Sequence, residues 1–216
     1  MDVAANPLTT WWGKNRKTVI IAGVVIIVLY GCLKSGGAAD TQEREIPNRY
    51  ASEGRVLQVH AQRNAKDPLP LVIVLPDNNT KTKTFETDSE VSDLANQKDF
   101  ALVYAEPVGG EWRVDPAGAD AQYLKDIITY VSNDWTAIDP ARIYIWGLGE
   151  GARQALAVAC ANPGQFAAIG VVGQFAPDPG PDCGAQVPTA REREASWDEE
   201  VSKRLWSFSE NKIRGS

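Results

Sequence analysis

The sequence predicts an α/β domain built on a doubly wound, mostly parallel sheet, preceded by an N-terminal transmembrane helix. Three observations predict it. From residue 55 onward, short apolar runs rich in β-branched residues alternate with stretches of helical spacing. At residues 143–160 a β-rich run passes through Gly147-Leu148-Gly149-Glu150-Gly151 directly into an Ala/Leu helix pattern. Ahead of the domain, Lys14, Arg16 and Lys17 flank the uncharged run 18–33.

That flank predicts a cytoplasmic stretch at 1–17, a signal anchor at 18–33 and an exported remainder. The sixteen residues of the run give about 24 Å of helix against a hydrocarbon core of about 30 Å. Trp11 and Trp12 at the interface and a snorkelling Lys34 make up the shortfall. A competing reading is a lipoprotein-type signal ending Leu29-Tyr-Gly-Cys32, with lipid on Cys32; the bulky Tyr30 speaks against it. Residues 34–54 are charged and show little apolar periodicity, which reads as a linker.

The domain is expected over residues 55–184. Its opening run 55–61 alternates around Val56, Leu57 and Val59 as an edge strand would, and places His60 as a partly exposed strand residue. Leu69-Pro-Leu-Val-Ile-Val-Leu75 reads as a strand buried on both faces. A helix is expected over 85–98 on Val91, Leu94 and Ala95, then a short strand at 100–104. Ala121, Leu124, Ile127, Ile128 and Val131 set an amphipathic helix over 119–133. Strand 143–146, helix 152–161 and strand 166–173 complete the alternation. Residues 185–216 read as a Pro/Thr linker followed by an amphipathic helix at 194–208. That helix is expected to cover the sheet edge, and to offer Trp197, Val201, Leu205 and Trp206 as candidate anchors for a partner protein.

Composition narrows the chemistry. At 216 residues with a net charge of -6, the chain lacks the clustered cations that phosphate binding needs, so nucleic acid is excluded as the main partner. A single histidine, His60, limits any imidazole-dependent catalysis. The layout at 143–160 is that of a nucleophile elbow, whose pattern is G-x-S-x-G. Gly147 and Gly151 stand at its outer positions, but the middle one is Gly149, with no side chain to attack a substrate.

Over 68–183 the chain resembles the secreted esterase branch of the α/β-hydrolase superfamily, which includes polyhydroxybutyrate depolymerases and feruloyl esterases. The resemblance rests on the strand 69–75 and on Phe100-Ala-Leu-Val-Tyr-Ala-Glu-Pro107 with Trp112. It rests also on Ile138-Asp-Pro-Ala-Arg-Ile-Tyr-Ile-Trp-Gly147 and Ala159-Cys-Ala-Asn-Pro-Gly-Gln-Phe-Ala-Ala-Ile169. It implies a truncated hydrolase-like sheet whose last strands are missing or replaced. It also implies an exported, bacterial-type location and a bridge between Cys160 and Cys183, which an oxidising compartment would favour. The catalytic stations do not follow. Gly149 replaces the nucleophile, Pro76-Asp77 stands where the oxyanion loop begins His-Gly, and no histidine follows Gly173.

The degenerate elbow, Gly147, Gly149, Glu150 and Gly151, therefore implies a catalytically inactive relative. It is expected to serve as an accessory or binding subunit of a membrane-protein complex, held in the bilayer by 18–33 and needing no cofactor. Two readings compete with it: ester hydrolysis by water activated at Glu150, and ligand binding in the vestigial pocket. Asp77, Glu106, Asp115, Asp120 and Glu150 are read as an acidic rim around that pocket rather than as a metal loop.

Overall fold

Strand β3 (Leu69–Leu75) alternates its side chains between two apolar layers, and the rest of the domain is arranged around it. The computed structural model describes residues 38–173, 183 and 186–215, so the predicted span at 18–33 and Cys32 lie outside the described residues. Leu71, Ile73 and Leu75 enter one hydrophobic cluster while Val72 and Val74 enter the other. Strand β4 (Ala101–Ala105) lies beside β3 on one side and β5 (Ile138–Leu148) on the other, both parallel to it. β6 (Ala168–Val172) and β7 (Thr189–Glu192) extend the parallel part. β1 (Thr41–Glu45) and β2 (Val56–His60) add two antiparallel pairings, giving the order β1-β2-β4-β3-β5-β6-β7.

Helices cover both faces, as a parallel sheet buried on both sides requires. On one face lie α3 (Ala119–Tyr130), which runs on into a π-turn at Val131–Trp135, and α4 (Glu150–Ala161). On the other lie α1 (Thr82–Ser89), α2 (Val91–Lys98) and α5 (Glu199–Ser209). Cys160 at the end of α4 is bonded to Cys183, with Cα atoms 4.9 Å apart. Among the described residues no helix is long and apolar enough to cross a membrane.

Four sequence expectations change. The stretch 34–54 is not a linker throughout: the compact unit begins at Ala39, and β1 pairs along the whole of β2. β2 is consequently interior, and His60 is buried, with 4% of its surface exposed. The single helix expected at 85–98 is two, because Glu90 adopts a left-handed conformation (φ 51°) that ends α1 and begins α2. The tail is not a linker up to its helix, since Thr189–Glu192 form strand β7, and the helix expected at 194–208 is α5, packed on a face of the sheet rather than over its edge.

The last change bears on function. Trp197, Val201, Leu205 and Trp206 are all buried in the second core cluster. Asp198 caps α5, accepting a hydrogen bond from the Val201 N–H at 2.9 Å. Phe100 stacks on Trp206 with ring centroids 4.3 Å apart. The Trp146 indole N–H donates to the Ser209 hydroxyl, and the Ser202 hydroxyl donates to the Ser89 carbonyl at 2.6 Å. These side chains hold the domain together and are not on offer to a partner.

Two outcomes test that architecture. Leu205→Ala is expected to destabilise the domain by about 2–5 kcal/mol in urea unfolding, as a core leucine does; a surface leucine would move it by less than about 0.5 kcal/mol. Reducing Cys160–Cys183, which bridges a sequence separation of 23, is expected to cost about 3 kcal/mol and to lower the melting temperature.

Candidate functional site

The elbow turn forms where β5 ends and α4 begins. β5 is parallel to β3, so Leu148 and Gly149 emerge beside the loop that leaves Leu75 through Pro76 and Asp77. The Gly149 N–H donates to the Val172 carbonyl at 3.0 Å, which ties the turn to β6. Gly149 has φ 56° and ψ -122°, a conformation that costs a side-chain-bearing residue of order 1–3 kcal/mol. A Cβ at Gly151 would press into the Leu75 and Pro76 carbonyls, so α4 can approach β3 this closely only with glycine there.

The Asp77 carboxylate occupies the space above the turn. Its Oδ1 accepts the Glu150 N–H at 2.8 Å and the Asn78 N–H at 2.8 Å. A Cβ built on Gly149 would overlap the Asp77 carboxyl group. The N–H of the residue after the nucleophile position, which in an elbow is a donor to an oxyanion, is thus already bonded to an anion of the chain itself. The sequence placed Asp77 among rim acids but did not place its carboxylate on the turn. The pairing of Pro76-Asp77 with Gly149 was the only signal, and it became readable once β3 and β5 were known to be neighbours.

The remaining rim acids are dispersed. Glu150 pairs with Arg153, one turn further along α4, at 3.2 Å and is half exposed. Asp120 forms a buried ion pair with Arg55 at 2.7 Å and also accepts the Arg113 N–H at 2.9 Å. Asp115 closes its own loop by accepting the Ala117 N–H. Glu106 accepts the Thr82 hydroxyl at 2.6 Å. Among the described residues no group of three or more His, Cys, Asp or Glu side chains is arranged to hold a metal ion. Trp112 seals the floor: its indole N–H donates to the Pro76 carbonyl at 2.7 Å, and its backbone N–H to the Asn78 side chain.

A polar groove of about 670 Å³ opens on the other side of the β3 loop, between α1 and strands β1 and β2. Thr41, Glu43, Gln58, Lys81, Glu86 and Glu106 contribute to its lining. Gln58 bridges its walls, donating to Glu43 at 3.0 Å and to Glu106 at 3.5 Å. His60 sits on the far strand β2, in contact with Thr41 and remote in the sheet order from the elbow on β5.

No protein-family description and no curated protein matches the chain. Solved structures do. An S-formylglutathione hydrolase from Agrobacterium tumefaciens superposes with a TM-score of 0.61 at 10% identity, over 83% of this chain and 98% of that one. The fold is that of the α/β-hydrolases. The fluorophosphonate-binding serine hydrolase F of Staphylococcus aureus gives 0.53 at 11% identity, over 82% of this chain and 77% of that one. An acetyl xylan esterase from Aspergillus awamori gives 0.53 at 19% identity over 61% of this chain, which spans about half (51%) of that enzyme. At these identities the likeness is one of fold.

Within that fold, Asp77 and Gly149 are expected to be energetically coupled. Gly149→Ser should destabilise the domain by at least about 1–3 kcal/mol, from the backbone alone. In an Asp77→Gly background the same change should cost less, with a coupling of roughly 0.5–3 kcal/mol in a double-mutant cycle of urea unfolding. Strict additivity would show that the carboxylate does not lie over the turn.

Proposed function

We propose that this is a hydrolase-fold domain that does not hydrolyse esters and instead serves as an extracytoplasmic accessory or binding subunit, anchored at a bacterial cell membrane. The observation that carries the reading is the Asp77 carboxylate on the Glu150 N–H, above a Gly149 that has no side chain. Acyl transfer needs a nucleophile and a donor free to receive negative charge, and neither is available at that turn. The anchor rests on the basic flank and the uncharged run 18–33. The Cys160–Cys183 bridge supports an oxidising, extracytoplasmic compartment.

The competing hydrolytic route through Glu150 has little support, because that carboxylate is half exposed and paired with Arg153. A ligand-binding reading has one observation in its favour, the polar groove beside β1. Its sign would be a ligand-induced rise in melting temperature, lost when Gln58 or Glu106 is replaced.

The protein extracted in mild detergent is expected to bring down a defined set of membrane proteins in stoichiometric amount, and to turn over p-nitrophenyl acetate no faster than buffer. Recovery alone as a clean monomer would count against the subunit reading. Ester turnover abolished by Glu150→Gln would overturn the loss of catalysis.

A further inference from the structure

The most unusual polar arrangement outside the elbow surrounds the chain's only histidine. His60 Nδ1 lies 2.8 Å from the Thr41 hydroxyl, which also contacts Glu86 Oε1. The Ser92 hydroxyl reaches the same carboxylate oxygen at 2.6 Å, and the Tyr104 hydroxyl lies 2.9 Å from Ser92. An ionised carboxylate only accepts, so Thr41 and Ser92 must each donate to Glu86. Thr41 then has only a lone pair left for the imidazole, which fixes the proton of His60 on Nδ1. Ser92 accepts in turn from Tyr104. Protonating His60 would leave these bonds as they are and add a proton at Nε2, which is buried and makes no hydrogen bond among the described residues.

This network and the buried Ile46 just after the strand are what hold β1 below the surface. Thr41, Gln42, Glu43, Arg44 and Glu45 are all polar, and none is fully buried. Apart from its ladder to β2, the strand is held at the surface by Gln58 on Glu43 and by Arg44 over the Trp135 ring. Just before it, the Ala39 N–H donates to the Asn96 side chain at 2.8 Å. A strand with no buried apolar side chain of its own opens more easily than the core strands β3 and β4.

We infer that β1 is a clasp that acid releases: protonation of His60 puts a charge into the buried site beneath Thr41, and opening of Thr41–Glu45 relieves it while exposing the pairing edge of β2. A proton on Nε2 would place a charge in a site shut off from solvent, which the Asn96 side chain offsets only in part. The groups acting on His60 are Asp40 just before β1, Glu86 on α1, and Asp93 and Asn96 on α2; the Tyr104 hydroxyl on β4 reaches the network through Ser92. Burial pushes the imidazole below its ordinary 6.5, outweighing the opposite pull of Asn96, Glu86, Asp40 and Asp93. The open strand therefore binds more protons than the closed one. The clasp is fully stabilised above pH 6.5, and its hold is lost as pH falls from there through the lower pKa of the closed state.

Hydrogen exchange of the full-length protein in detergent, read on peptides covering 39–48 and corrected for intrinsic pH dependence, tests this. Between pH 7.5 and 5.0 the wild-type segment should lose protection, by up to about tenfold per pH unit below the ordinary imidazole pKa, while β3 and β5 do not. His60→Asn keeps a donor for Thr41 but does not titrate, and should hold its protection across the same range. Unchanged protection in the wild type would overturn the proposal. So would acid loosening that persists in His60→Asn and disappears in Glu86→Gln, since Glu86 would then be the sensor. Should His60→Asn already be loose at pH 7.5, NMR titration of the sole imidazole decides. A midpoint below 6.5 that tracks the loss of protection supports the clasp, and one at or above 6.5 overturns it.

Discussion

The carboxylate of Asp77 on the amino end of α4 is the contact on which the centre of this domain depends. Gly149 stands at the N-cap of α4 and has no side chain to satisfy the first N–H groups of the helix. Asp77 accepts one of them, that of Glu150, from the loop after the neighbouring strand β3, and brings a negative charge to the positive end of the helix dipole. One bond thus joins the loop after β3 to the helix after β5. With Trp112 bonded to Pro76 and Asn78, the two loops and the turn form one hydrogen-bonded unit above the central strands. Such a charge-assisted bond contributes about 1.5–3 kcal/mol, which is large for a single side chain.

Much of this architecture was legible in the sequence, for a definite reason. β3, β4, β5 and β6 are apolar on both faces, so their runs were unmistakable, and the glycines of the elbow marked the one junction where backbone approaches backbone. β1 and β7 escaped notice because they are edge strands. Thr41–Glu45 and Thr189–Glu192 carry charged and polar side chains, as solvent-facing edges do, and such strings look like linkers. The break at Glu90 was hidden because a left-handed residue other than glycine leaves little trace in sequence.

The tail helix illustrates a different limit. Periodicity revealed an apolar stripe on 194–208 but could not say what the stripe packs against. In the fold it is Phe85, Phe100, Tyr144 and Trp146, which form an aromatic layer over β4 and β5. A stripe that could have been an interface is instead a wall of the core. The elbow shows the same ambiguity at the level of one residue. Asp77 could be named from the sequence, but the consequence of its charge depended on β3 and β5 being adjacent.

An elbow-like turn with glycine at its centre has a physical explanation. A side chain at the turn must be held in a conformation costing of order 1–3 kcal/mol, a cost tolerated where it aims a reactive oxygen. Glycine at 149 meets the same φ and ψ without that penalty, and leaves room for a carboxylate where a Cβ would have been. The turn itself is still required, because β5 must deliver α4 onto β3, and only this reversal brings Gly151 against the carbonyls of Leu75 and Pro76. The geometry therefore serves as architecture. Asp77 and Gly149 fit each other for the same reason that neither fits a serine: the space and the donor at the turn can serve a bound carboxylate or a reacting substrate, but not both.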